Sequence, residues 1–318
     1  MKEGINKGFN KKRFVNRFKR RSFIKSLALI GGGIVSGQAL AACTSSKAMT
    51  GLAKKRYQIA VCDWMILKRQ KLSALALANE INADGIELDM GGLGNRDTFD
   101  SKLGDAQTRQ QFLEEAQKQG VGFSSIAMSG FYAQSFAERP TVPQMVQDTV
   151  DTMKGMQIKV AYLPLGVQGD LVKHPELRPA IVERLRMAGG KAQEAGGVIA
   201  VETALDAAGE VELLKEIGSP GVKISFNFAN AIKNGKDIPT ELKKLGAENI
   251  AQIHCSNTDG ELIQNDPALD MPTIKRTLDK MGWSGWLIIE RSRDTDDVHN
   301  VRANYGGNVA YMKSVFQG

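Results

Sequence analysis

Cysteine is scarce, at three residues in 318. Cys62 and Cys255 stand far apart and make no disulfide framework, so both read as packing residues. The third, Cys43, sits in a different context, taken up below. The chain also lacks a glycine-rich phosphate loop after its first strand. That position reads Val61-Cys62-Asp63-Trp64-Met65, without GxGxxG, and this argues against an open, dinucleotide-binding sheet. Hairpin signals and low-complexity inserts are missing too. The body of the chain has little net charge. Positions 1–42 hold ten Lys or Arg and one acid, so they supply +9 of a formal net charge of +7 and leave −2 for the rest. A near-neutral body gives no electrostatic case for nucleic-acid binding.

The basic segment reads as a targeting leader. Lys19-Arg20-Arg21-Ser22-Phe23-Ile24-Lys25 matches a twin-arginine export motif, with Arg20 and Arg21 as the pair. The weakly apolar stretch from Ser26 to Ala42 is shorter and less apolar than the ~20 residues a membrane helix needs. It ends in Leu40-Ala41-Ala42-Cys43, a lipoprotein processing pattern in which Cys43 carries the acyl chains. The expected organisation is a signal peptide at 1–42, a tether at 43–55 and one folded domain at 56–318. The expected location is the periplasm or cell envelope, with membrane contact through the lipid anchor only.

From Arg56 onward, short apolar runs alternate with amphipathic ones. Strands are expected at Gln58–Cys62, Gly85–Asp89, Gly122–Met128, Lys159–Leu163, Val198–Glu202, Val222–Asn227, Ile250–Cys255 and Trp286–Glu290. Helices are expected at Lys71–Ile81, Thr108–Gln119, Val142–Met156, Leu177–Ala195, Glu210–Ile217, Pro272–Met281 and Val298–Phe316. Alternating β and α implies a parallel sheet. Eight such units in this length imply an α/β fold of the (β/α)₈ TIM-barrel class, a single domain after the leader. Barrel enzymes carry their chemistry where strands end, which makes the polar residues there the candidates.

The late strands end in side chains that can hold a cation. Strand five ends in Glu202, strand six in Asn227, strand seven in His254 and strand eight in Glu290. Both glutamates follow apolar runs, where a carboxylate is costly unless it pairs, binds a metal or shifts its pKa. The bland alternatives stay open. Glu202 and Glu290 can be ion-paired barrel residues, His254 a hydrogen-bonded core histidine and Asn227 a strand-end cap. Trp64 can stack on a sugar or pack. Glu87 and Asp89 share one strand face and suit either substrate binding or structural pairing. Arg291 and Arg293 can touch substrate or solvent. His174 and His299 read as surface residues.

Glu, Asp, His and Glu at the ends of strands five to eight form the metal site of the xylose-isomerase-like family, and the chain resembles that pattern at three of the four places. Gly85-Ile86-Glu87-Leu88, Ile253-His254 and the segment Gly282-Trp283-Ser284-Gly285-Trp286-Leu287-Ile288-Ile289-Glu290 resemble the family too. The likeness covers roughly Tyr57 to the C-terminus. It implies a divalent ion held by Glu202, Asn227, His254 and Glu290. Mn²⁺ suits this donor set best, with Co²⁺, Mg²⁺ or Zn²⁺ compatible. It implies a small carbohydrate substrate, isomerised or epimerised by proton abstraction next to a carbonyl through a metal-stabilised enediolate. Glu202 and Glu290 are the catalytic pair, and Trp64, Glu87 and Arg293 are expected against substrate. Two alternatives accompany it: a 3-keto-glycoside lyase on the same site, and a sugar-binding lipoprotein with weakened turnover.

Three positions depart from the pattern. Asn227 replaces the family Asp, Asn230 stands where relatives often have His, and Ser256-Asn257 stands where many have Lys-Asp. The first removes a charge from the donor set and predicts weaker metal binding. A DNA-repair nuclease of this fold needs a His-rich three-zinc site, and the chain has three His in all, one of them at a strand end. Relatives are often dimers or tetramers, which leaves a homo-oligomer open. Twin-arginine export moves folded proteins, so a Mn²⁺ site could fill in the cytoplasm, away from copper and zinc.

Overall fold

The computed structural model describes residues 55–318. Cys43, Arg20, Arg21 and the rest of the expected leader lie outside the described residues. Eight strands form one closed barrel: β1 (Tyr57–Cys62), β2 (Gly85–Asp89), β3 (Gly122–Ala127), β4 (Val160–Pro164), β5 (Val198–Glu202), β6 (Val222–Asn227), β7 (Ile250–His254) and β8 (Gly285–Ile289). All neighbours are parallel, and β1 closes the ring on β8 with Tyr57 opposite Gly285 and Val61 opposite Ile289. The returning helices are α1 (Ser73–Glu80), α2 (Ala106–Gln119), α3 (Val142–Met156), α4 (Arg178–Glu194), α5 (Ala207–Ile217), α6 (Phe228–Lys233), α7 (Ile238–Leu245), α8 (Met271–Met281) and α9 (Val301–Phe316).

Local chemistry sets the helix ends. Asp105, Asp206, Asp237 and Asp270 each accept a hydrogen bond from a first-turn backbone N–H of the helix they precede. Such a cap contributes about 1 kcal/mol. Gly120, Gly218 and Gly282 end α2, α5 and α8 in the left-handed conformation, which glycine adopts without strain. The return from β6 to β7 differs from the simple strand–helix unit. It runs through α6 and α7, separated by Gly235 at φ +65°.

Side-chain alternation sorts each strand into an outer and an inner face. Ile59, Val61, Ile253, Leu287 and Ile289 face the helices and belong to the main hydrophobic core. Ala60, Cys62 and Ile288 form a separate small cluster, with Trp64, Met65 and Trp286 packed against it. Trp286 takes the place a side chain at position 85 would need, since a Cβ on Gly85 would lie 2.6 Å from its ring. Polar groups fill the remaining interior: Glu87, Ser125, Ser225, Gln252 and His254 are all buried. Such groups cost several kcal/mol each unless hydrogen-bonded, so their partners must be found inside the barrel. Among the described residues no helix is long and apolar enough to cross a membrane.

Candidate active site

The interior polar groups converge on His254, the last residue of β7. Its ring is fully buried, and its two nitrogens face different surroundings. Nε2 lies 3.0 Å from Glu87 Oε1, across the barrel on β2. Glu87 also accepts from the Ser125 hydroxyl at 2.6 Å and from Gln252 Nε2 at 2.8 Å. A carboxylate so placed fixes the imidazole tautomer by holding the Nε2 proton. Nδ1 has no hydrogen-bond partner. It points between Glu202 Oε2 at 3.7 Å and Glu290 Oε2 at 3.6 Å.

This arrangement changes the expected place of Glu87. It lies beneath the imidazole with no exposure and cannot reach a substrate at the barrel mouth; its carboxylate supports His254. Cys62 Sγ joins the same group, with Glu87, Cys62 and His254 atoms all within 4.8 Å of one another. That trio suits a hydrogen-bonded support better than a metal site. The Glu87 oxygens are already engaged, and burial together with the Glu87 charge pushes the Cys62 thiol well above its ordinary range, away from the thiolate a metal needs.

Glu202 is held by three neutral donors. The Tyr162 hydroxyl and Asn227 Nδ2 reach its Oε2 at 3.0 and 2.9 Å, and Asn230 Nδ2 reaches Oε1 at 3.3 Å. The Tyr162 ring also lies against the imidazole, with centroids 4.5 Å apart. Glu290 is positioned through its backbone instead. Its N–H donates to Ser256 Oγ at 3.1 Å and its carbonyl accepts from the Tyr305 hydroxyl at 2.8 Å. Ser256, one of the departures from the family pattern, thus aims the end of strand eight. The two side chains are 11% and 21% exposed, open to the barrel mouth, while His254 is closed off.

Charge follows from this packing. Burial raises the Glu202 carboxyl, against the pull of His254. Burial acts on Glu290 in the same sense, but His254 outweighs it and holds that carboxyl below its ordinary value. Burial works against the imidazolium, yet the Glu87 and Glu290 carboxylates hold His254 well above the usual imidazole range.

The residues present fit a divalent cation at three positions. A buried nitrogen without a partner, faced by two carboxylates, is a donor set with two negative charges and one neutral ligand. Catalytic metal sites often use three protein donors and leave further positions for water or substrate. Asn227, expected as the fourth ligand, is turned the other way. Its Oδ1 accepts from Ala229 N at 2.9 Å and caps α6, so its N–H group faces Glu202. The amide here bridges a helix end and a carboxylate, which is the strand-end cap weighed from the sequence.

Trp64 is half-buried on Ala60, Cys62 and Ile288. Arg293 is also engaged. Its guanidinium clasps Asp259 through Nε at 2.9 Å and Nη2 at 2.5 Å, so it braces two mouth loops and is not free for a ligand. His174 and His299 are exposed, and Cys62 and Cys255 are buried free thiols.

A second carboxylate pair lies at the ends of β1 and β2. Asp63 accepts from the Gln70 and Asp89 backbones at 2.8 and 3.3 Å, and Asp89 accepts from Gly91 N and the Ser129 hydroxyl. Burial pushes Asp89 up to about 6, against the pull of Arg69. Burial and the Asp89 charge push Asp63 well above the carboxylate range. The fold therefore holds the Asp89 proton more tightly than the unfolded chain does. This costs stability as pH rises from about 4 to about 6, and the cost persists above that window. Asp89→Asn is expected to raise stability at pH 8 by roughly 1–2 kcal/mol, a Tm gain of a few degrees, and to change little at pH 4. Thermal melts at both pH values check this; equal shifts would contradict it.

Comparison with known proteins places this geometry. The model of the xylose isomerase-like TIM barrel family matches residues 75–315. The chain belongs to that family. Among relatives of the xylose isomerase-like barrel, a 2-epi-5-epi-valiolone 7-phosphate 2-epimerase from Actinoplanes sp. is 27% identical over 201 residues, which cover 62% of this chain and 71% of that protein. A solved D-psicose 3-epimerase, in the presence of D-fructose, superposes with a TM-score of 0.64 at 12% identity, covering 82% of this chain and all of the other. The 3-keto-D-glucoside 4-epimerase of E. coli gives a TM-score of 0.62 at 13% identity, again covering 82% of this chain and all of the other. At such identities the structural likeness establishes the fold.

Tyr162, Ser125, Gln252 and Tyr305 were not singled out from the sequence. One signal was there: Gln252 shares a strand face with His254 in an otherwise apolar strand, as Glu87 does with Asp89.

Proposed function

We propose that this xylose isomerase-like barrel is a divalent-metal-dependent sugar or keto-sugar isomerase or epimerase. The observation that carries the reading is His254 Nδ1, buried without a partner and faced by Glu202 and Glu290 at 3.7 and 3.6 Å. The family relationship and the epimerase activities of the relatives support it. Glu202, His254 and Glu290 would hold the cation, and Mn²⁺ suits their oxygen-rich set. When bound, a divalent ion polarises a carbonyl or adjacent hydroxyl by Lewis acidity.

The chain's own residues do the rest. Glu87, Ser125 and Gln252 fix the imidazole, so that Nδ1 faces Glu202 and Glu290, where a bound cation would take the place of its proton. Tyr162, Asn227 and Asn230 hold Glu202 in one rotamer. Ser256 and Tyr305 set the backbone that carries Glu290. A carboxylate at the mouth can then take a proton from the carbon next to a carbonyl and give it back. Incubating the Mn²⁺-loaded protein with keto-sugars in D₂O tests this. Solvent deuterium should enter next to the carbonyl of at least one sugar, and full retention of every C–H bond would contradict the reading.

The leader supports an envelope location, through the twin-arginine motif at Arg20 and Arg21 and acylation at Cys43. The full chain is expected in the membrane fraction, and Cys43→Ser is expected to release it. Equal partition of the two forms would argue against the anchor.

A further inference from the structure

We infer that the barrel mouth carries an apolar subsite centred on Tyr132 and Val167, and that the substrate is a neutral sugar bearing an aryl or alkyl group that lies there. This rests on the proposed function, which sets the sugar itself at Glu202, His254 and Glu290, and it names the substrate class.

Single apolar side chains on a surface are ordinary. Here they are gathered. Among the described residues the exposed large hydrophobic side chains are Leu67, Leu72, Tyr132, Val167 and Val172. Each stands between the end of a strand and the following long helix: Leu67 and Leu72 after β1, Tyr132 after β3, Val167 and Val172 after β4. That is the end of the barrel where Glu202 and Glu290 open to solvent. The outer helix faces and the opposite end carry none of them. Apolar area collected at the rim of such a mouth marks a binding surface.

The loops are built around this exposure. The Val167 N–H donates to the Tyr132 carbonyl at 3.0 Å, so the loops after β3 and β4 hold one another. Gly166, at φ +58°, lies against the Tyr132 backbone, and a Cβ there would meet the Tyr132 carbonyl oxygen at 2.2 Å. Only glycine permits that approach. It sets Tyr132 and Val167 beside each other at 54% and 56% exposure. The loop after β1 shows the same bias. Leu67 holds a left-handed φ of +59° and is still 49% exposed. The loop is pinned in this shape by the Gln70 N–H on the Asp63 carboxylate at 2.8 Å. A leucine in that conformation costs the fold, and no burial offsets the cost; contact with a ligand accounts for it.

The patch is continuous with the site below it. The Leu165 N–H donates to the Glu202 carbonyl at 3.0 Å. Val167 follows two residues later, at most about 7 Å of extended chain. A sugar ring held at Glu202 spans a comparable length, so a group attached to it reaches Val167 and Tyr132.

Charge favours a neutral substrate. Several cations at this end are already matched: Arg69 faces Asp89 at 3.7 Å, Lys173 faces Asp170 at 3.4 Å and Arg293 clasps Asp259 at 2.5 Å. Arg291 is in no ion pair among the described residues, and it lies close enough to Glu290 and Asp259 for its charge to lower both carboxyls. A phosphate asks for free, convergent donors, and cations so engaged serve it poorly.

Calorimetric titration of the Mn²⁺-loaded full chain tests this, with methyl and phenyl glycosides of the common hexoses, their 3-keto forms and the hexose 6-phosphates. The phenyl form of the best-bound sugar should bind at least about tenfold tighter than its methyl form, and tighter than its phosphate. Tyr132→Ala and Val167→Ser should each remove most of that preference, with the methyl glycoside affinity and the melting profile unchanged. Both side chains are more than half exposed, so neither holds the fold. Equal binding of phenyl and methyl forms, a phosphate bound more tightly than either, no binding of any glycoside, or a preference that survives both variants overturns the subsite. So does a dimer that Tyr132→Ala dissociates in a chain without phenyl preference, since the patch then joins two copies. Deuterium exchange from free keto-sugars without phenyl preference leaves the proposed function standing and removes the subsite. Phenyl preference without exchange from any sugar does the reverse.

Discussion

Glu87→Leu is expected to destabilise the barrel by about 3–5 kcal/mol, the usual range for removing one partner of a buried ion pair. Glu87 is fully buried, and it accepts from Ser125, Gln252 and His254 at 2.6, 2.8 and 3.0 Å. Leucine has a similar volume, so the cost comes from stranding three donors rather than from opening a cavity. For a barrel of this size the loss corresponds to a Tm drop on the order of 10 °C. The variant should also lose metal affinity by roughly 10–100-fold, because the imidazole loses the partner that fixes its tautomer. Thermal melts and Mn²⁺ titration of the surviving folded fraction check both parts. A variant of parental stability with unchanged affinity would show that Glu87 is a passive filler.

Asn227→Asp is expected to tighten Mn²⁺ binding by about tenfold or more, because ligand charge count tunes the affinity of oxygen-rich sites. The new carboxylate can keep the helix cap on Ala229 with one oxygen. Its other oxygen replaces an N–H donor that now faces Glu202. With a cation between them, two anions are an advantage. Without one they repel across a buried site, so the metal-free variant should be less stable than the metal-free parent, by roughly 1–3 kcal/mol. Tighter binding and a less stable apo form belong together. Calorimetry and melts with and without chelator measure both. A variant that binds no better than the parent would mean that position 227 does not face the cation.

Much of the barrel was legible because its signals are local. Runs such as Val198–Glu202 and Val222–Asn227 are short, apolar and bounded by turn residues, and both strands have the expected bounds. The α6–α7 return was not legible. Six and eight residues are too few to establish a helical period, and the break at Asn234-Gly235 reads as a loop. Strand ends named Glu202, His254 and Glu290 because a charged or imidazole side chain after an apolar run is conspicuous. The supports were invisible for the opposite reason. Tyr162, Ser125 and Gln252 are neutral residues in strands, and their role depends on contacts across the barrel, such as Gln252 reaching Glu87 165 positions away. Glu87 was seen but set against substrate, since sequence cannot tell how deep in the barrel a strand residue sits. Asn227 looked like a weakened ligand, and the structure adds that its carbonyl already has a helix to cap.

The central claim is that His254 Nδ1, Glu202 and Glu290 form a cation site. Calorimetric titration of Mn²⁺ into metal-stripped protein, beside His254→Ala, tests it most directly. The account predicts saturable one-site binding in the parent that is lost in the variant. No binding by the parent, or equal binding by both, would contradict it.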